Sequence, residues 1–169
     1  MEWTIENMQA EDWPQVAAIY SSGIATGIAT FERSVPTWND WNEDHCTECR
    51  LVARTDGTIL GWIALSPVSG RRVYNGMAEV SLYVAGANRR QGIGTALLTE
   101  LIRRSEEAGY WSLQAVIIRE NTPSKDLFER CGFREIGTRE KPARMPDGSW
   151  HDVILMERRS RTVGVTETP

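Results

Sequence analysis

Hydrophobic and polar positions change period several times along the chain, and each change marks an element. Trp3 and Ile5 alternate with Glu2, Thr4 and Glu6, which predicts a strand. Pro14 suits the first turn of a helix, and Val16, Ala17, Ile19 and Tyr20 follow at helical spacing. The tandem GIAT within residues 23–32 is too short for a repeat architecture, and its glycines predict a loop. Thr37 to Glu48 is polar, with Trp38 and Trp41 three apart, and predicts a second helix. Two apolar runs, Leu51 to Arg54 and Ile59 to Leu65, flank Asp56-Gly57, the signature of a hairpin. From Ala78 to Val84, Ala78, Val80, Leu82 and Val84 alternate with Glu79, Ser81 and Tyr83, which makes this the clearest strand. Thr95 to Ala108 reads as an amphipathic helix with Leu97, Leu98, Leu101 and Ile102 inward, closing at Gly109. Ser112 to Ile118 predicts a strand, and Pro123 to Arg130 a short helix stopped by Cys131-Gly132. Phe133 to Glu140 and Val153 to Glu157 predict the last strands, with a loop at Pro142, Pro146, Asp147 and Gly148 between them.

Helices interleaved with strands after an early antiparallel run imply one α/β domain over residues 1–159, with helices flanking a mixed, mostly antiparallel sheet. Residues 160–169 lack large apolar side chains beyond two valines, so a disordered tail is expected. The chain of 169 residues is long enough for one sizeable core. Its net charge of −4 argues against a nucleic-acid partner. No run approaches a membrane span, and no N-terminal stretch joins a basic start to an apolar run, so neither membrane nor signal peptide is expected. Three cysteines do not make a disulfide framework, and the expected location is cytoplasmic. His45-Cys46-x-x-Cys49 lacks a second ligand pair and His151 is the only other histidine, so no metal is expected. Seven tryptophans are scattered, as core and pocket walls would be.

The candidate chemistry begins in residues 88–98, NRRQGIGTALL, where a strand runs through a glycine-bearing turn into a helix. Free N–H groups at such a helix start suit an anion, and Gly92 and Gly94 permit close backbone approach. The spacing is neither a P-loop nor a dinucleotide fingerprint, and two glycines alone are equally compatible with a plain turn.

Arg89-x-x-Gly92-x-Gly94 resembles the R/Q-x-x-G-x-G/A pyrophosphate signature of the GNAT superfamily of N-acetyltransferases, which bind acetyl-coenzyme A. Asn121-Thr-Pro-Ser124 with Gly132-Phe133 resembles that superfamily's N-x-x-S/A…G-F segment. Residues 70–84, GRRVYNGMAEVSLYV, resemble the phosphinothricin acetyltransferase and L-amino acid N-acetyltransferase group, as do Thr30-Phe31-Glu32 and Trp150-x-Asp152. The resemblance spans roughly residues 3–157 and implies a GNAT fold, acetyl-CoA as cosubstrate and a homodimer. It also implies transfer to the amine of a small amino acid, or of a methionine sulfone, sulfoximine or phosphinothricin type analogue. On the matching positions it makes Glu79 the catalytic base. Leu82, Tyr83, Val84, Arg89, Arg90, Gln91, Gly92, Ile93, Gly94, Thr95, Asn121 and Ser124 become the acetyl-CoA contacts, and Ser69, Arg71 and Phe31 the substrate contacts. Arg71 suits a carboxylate because its planar fork can pair with both oxygens.

One position departs from the resemblance. Many GNAT enzymes carry a tyrosine acid in the helix after the asparagine motif, but Phe128 stands here and cannot donate a proton. Tyr83 or Tyr110 could substitute, or the thiolate could leave unprotonated. Two other functions remain open: acetylation of a different amine (protein N-terminus, polyamine or aminoglycoside) and coenzyme A binding without catalysis.

Overall fold

One strand, β4 (Met77–Val84), separates the two halves of the core, as its alternation requires. Ala78, Val80, Leu82 and Val84 face the larger core, whereas Tyr83 packs with the smaller one on the opposite face. The computed structural model describes residues 2–166. Before β4 come β1 (Thr4–Asn7), α1 (Trp13–Ala25), α2 (Trp38–Asp44), β2 (Leu51–Thr55) and β3 (Thr58–Pro67). After it come α3 (Ile93–Glu107), β5 (Ser112–Ile118), α4 (Thr122–Arg130), β6 (Arg134–Arg144) and β7 (Trp150–Arg159). The strands form one sheet in the order β1-β2-β3-β4-β5-β7-β6, and β4–β5 is the parallel pair among antiparallel ones. This is the mixed, mostly antiparallel α/β sheet that the hydrophobic pattern implies.

The larger core lies beneath α3 and α4, whose Leu97, Leu98, Leu101 and Phe128 meet Ile63, Leu65, Leu113 and Met156 of the sheet. The smaller one lies beneath α1 and α2, where Val16, Ile19 and Trp41 meet Val52, Trp62 and Ala64. No helix is long and apolar enough to cross a membrane among the described residues.

Several boundaries differ from the sequence reading, β7 starting at Trp150 and α3 at Ile93 among them, and four differences have a visible cause. α1 continues to Ala25 through the first GIAT, because a Cβ on Gly23 would stand 2.6 Å from the Tyr83 ring, so only glycine lets the helix approach. α2 ends at Asp44 rather than Glu48. The Cys46 N–H turns to the Leu65 carbonyl, and the Arg50 guanidinium caps the helix end by donating to the carbonyls of Asn42, Cys46 and His45. β6 runs past Pro142 to Arg144, since pairing resumes at Ala143↔His151 after an irregularity that follows Arg139↔Val153. Of the tail, residues 167–169 lie outside the described residues, but Ser160 to Gly164 folds back. The Ser160 N–H donates to the Trp111 carbonyl, and Arg159 donates to the carbonyls of Val163 and Gly164.

Candidate active site

The parallel pairing of β4 with β5 covers Met77↔Ser112, Ala78↔Leu113 and Glu79↔Gln114, and then stops. β4 goes on to Val84 against β3, and β5 goes on to Ile118 against β7, so the two strands part into a fork. A fork exposes backbone N–H and C=O groups that a sheet would otherwise pair, and these must find another partner. A cavity of about 530 Å³ fills it. Leu82 and Tyr83 line one arm, Ala115 to Ile118 the other, with Asn121, Ser124 and Phe128 beyond.

Glu79 sits at the crotch of the fork. Its Oε1 accepts from the Gln114 side-chain amide at 2.9 Å, a contact produced by the parallel register. The second carboxylate oxygen keeps its lone pairs for a proton or an ammonium group. Gln114 carries no family motif, and only knowledge of the β4–β5 pairing would have placed it beside Glu79.

The α1–α2 side of the cavity is aromatic. Tyr83 stacks on Tyr20 at 4.9 Å and on Trp62 at 5.0 Å, and Trp41 stacks on His45 at 4.1 Å. Burial pushes the Tyr20 phenol up to about 12 and drives that of Tyr83 higher still. His45 is lowered from its ordinary value, first by burial. Its Nδ1 stands 2.8 Å from the Trp41 carbonyl, which can only accept, so Nδ1 carries the proton in the neutral ring. Trp41 and His45 carry no motif, and their place in the wall follows from the turn after α2.

At the mouth of the fork, Arg90 (φ +65°) and Gly92 (φ +82°) coil the loop tightly before α3. Gly92 is the N-cap, and the first bond across the turn runs from the Ala96 N–H to the Gly92 carbonyl. The N–H groups of Ile93, Gly94 and Thr95 therefore have no helical acceptor, which makes a cradle for an anion. The two glycines have different jobs. A Cβ on Gly92 would meet nothing, so that position needs glycine for its left-handed backbone. A Cβ on Gly94 would lie 2.7 Å from Leu127 Cδ1, so Gly94 serves the packing of α3 on α4. Arg89, Arg90 and Gln91 are exposed around the loop.

Asn121 both caps α4, its Oδ1 accepting from the Ser124 N–H at 3.4 Å, and lines the cavity with Ser124. Phe31 also lines it. Ser69 and Arg71 do not. The Arg71 N–H donates to Ser69 Oγ, and its guanidinium lies over Tyr74 at 5.5 Å, outside the cavity lining. Tyr110 is likewise outside, with its hydroxyl donating to Glu48 at 3.3 Å. Phe128 is buried edge-on against Phe133. Among the described residues no group of three or more His, Cys, Asp or Glu side chains could hold a metal ion. All three cysteines are free, and burial raises the Cys49 thiol to about 11, far from a reactive thiolate.

A forked sheet with a glycine-capped helix at its mouth is the architecture of acetyl-CoA-dependent N-acetyltransferases. Residues 5–133 match the acetyltransferase (GNAT) family, and the chain belongs to it. YwnH of Bacillus subtilis (strain 168) is 36% identical over 160 residues, 92% of this chain and 98% of that protein. The phosphinothricin N-acetyltransferase of Streptomyces viridochromogenes is 32% identical over 153 residues, 88% and 83% of the two chains. Among solved structures, a GNAT superfamily phosphinothricin acetyltransferase from Sinorhizobium meliloti in complex with AcCoA superposes with a TM-score of 0.88. It is 27% identical, and the match covers 100% of this chain and 94% of that one.

Proposed function

We propose that this acetyltransferase acts on the α-amino group of a small amino acid or analogue, of the methionine sulfone, sulfoximine or phosphinothricin type. The carrying observation is Glu79 at the base of a forked, aromatic-walled cavity too small for a folded protein. Acetyl-CoA supplies an activated thioester, and the fork accommodates its extended arm. Main-chain groups of Leu82, Tyr83 and Val84, together with Asn121 and Ser124, hold that arm. The N–H groups after Arg90, through Thr95, hold the pyrophosphate, with Arg89 contributing charge. A backbone N–H near Leu82 donates to the thioester oxygen. Glu79, held by Gln114, takes the proton of the incoming ammonium through water and leaves a neutral nucleophile. Of the two phenols that line the cavity, Tyr20 and Tyr83, the one carried on the β4 arm of the fork, Tyr83, takes the donor role that Phe128 cannot fill, and burial keeps it protonated. Three free thiols accord with a cytoplasmic enzyme.

The test is thiol release from acetyl-CoA across a panel of amino acids, their sulfone, sulfoximine and phosphinic analogues, a polyamine, an aminoglycoside and a peptide. The small amino acids or analogues are expected to give the highest kcat/KM. A polyamine, aminoglycoside or peptide preferred by about tenfold or more would overturn the assignment.

The two glycines give a separate prediction. Gly92→Ala forces a left-handed alanine, a cost of about 1–2 kcal/mol, and is expected to weaken acetyl-CoA binding by roughly tenfold. Gly94→Ala presses only on the end of the Leu127 side chain, and is expected to lower thermal stability while leaving that affinity within about twofold. Calorimetric titration and a melting curve of each variant check both.

A further inference from the structure

Beside the fork lies a second cavity, of about 270 Å³, over the β5–β7–β6 part of the sheet. Four residues line both cavities: Phe31, Glu79, Val116 and Val153. The two spaces therefore adjoin, with Glu79 among the residues between them. Arg139 of β6 supplies the charged group on the far side of the second cavity. It immediately precedes the break in β6–β7 pairing, where the extra residues 140–142 bend the strand, the kind of irregularity that re-aims a side chain near a site. The guanidinium of Arg139 takes part in no ion pair or hydrogen bond among the described residues, in contrast to Arg54, Arg103 or Arg158. Arg71 stands outside this cavity as well.

We propose that Arg139 binds the carboxylate of the amino-acid substrate and thereby selects α-amino acids over simple amines. The inference rests on the amino-acid reading above and adds the partner that reading lacks. An α-amino acid carries an ammonium and a carboxylate on one carbon. The second cavity offers a carboxylate, Glu79, and a guanidinium, Arg139, as lining groups of opposite sign. A guanidinium fork matches a carboxylate bidentately, which a loop ammonium would not. Val116, Pro142, Ala143 and Leu155 supply apolar surface for the substrate side chain.

The experiment measures kcat and KM of the wild type, Arg139→Ala and Arg139→Lys. The substrates are a favoured amino acid and the primary amine left when its carboxyl group is removed. Wild type is expected to prefer the amino acid. Arg139→Ala is expected to raise its KM by about ten- to a hundred-fold, the usual loss for a charge-assisted pair, with kcat changed far less. The amine should be unaffected, the lysine variant should fall between, and acetyl-CoA affinity should stay constant. Equal losses on both substrates would indicate a structural role and overturn the proposal. So would an unchanged KM in Arg139→Ala, or a carboxylate-specific KM increase in Arg71→Ala instead. A wild type that acetylates no amino acid in the panel overturns the amino-acid reading itself, and Arg139 with it.

Discussion

Replacing Glu79 by glutamine is expected to lower kcat at neutral pH by about a hundred- to a thousand-fold, the usual contribution of a positioned base. An α-amine is largely protonated near pH 7, and a protonated amine has no lone pair with which to attack. Glutamine keeps the shape of the side chain and can still accept from the Gln114 amide, so the fork should keep its form. KM for acetyl-CoA should therefore be unchanged. The pH profile separates a base from a structural carboxylate. As pH rises through the amine's own pKa, substrate arrives already neutral and the need for Glu79 fades. The deficit should accordingly shrink toward high pH. A deficit of the same size at every pH would mean that Glu79 only supports the strand fork, and wild-type kcat at neutral pH would remove it from the mechanism.

The placement of Glu79 is readable in the sequence because strand alternation is a local property. A two-residue period in Ala78 to Val84 puts Glu79 on the face opposite Ala78 and Val80 whatever the strand pairs with. The partner of Glu79 was not readable, because Gln114 arrives through parallel pairing across α3, and registers of that kind are set by tertiary packing. The same distinction explains Arg71 and Arg139. Arg71 is close in sequence to Glu79, and the loop before β4 sets its guanidinium over Tyr74. Arg139 is sixty positions from Glu79 and reaches its cavity only because β7 and β6 fold back beside β5.

Glycine signals were similarly ambiguous until packing resolved them. Gly92 and Gly94 read alike as places for close backbone approach, yet one is demanded by φ and the other by Leu127. Gly23 read as a loop marker, and it is a helix residue whose missing side chain admits the Tyr83 ring. The start of the tail makes a related point. Composition sees few apolar groups after Ser160, but the segment is held by hydrogen bonds to Arg159 and Trp111 that leave no apolar trace.

Trp41→Ala is expected to cost about 3–5 kcal/mol of stability, the range for deleting a large buried aromatic side chain. In a chain of this length that lowers Tm by about 6–20 °C. Trp41 is fully buried and holds the acceptor wall from the centre. It stacks on His45, meets Trp62 edge-on at 5.7 Å and lies under the Arg50 guanidinium at 5.1 Å. Trp62 in turn stacks on Tyr83 of the fork, so the cavity wall and the core are one aromatic chain. The indole N–H of Trp41 has no acceptor among the described residues, so Trp41→Phe sacrifices no hydrogen bond there and should lose only a minor part of that stability. Trp150, 55% exposed over Arg144, is the contrast, and its alanine variant should stay within about 0.5 kcal/mol of wild type. A loosened wall should also raise KM for the amine more than KM for acetyl-CoA if, as proposed above, main-chain groups of β4 hold the cofactor arm. A Trp41→Ala protein melting within about 2 °C of wild type would show that the wall is supported from elsewhere.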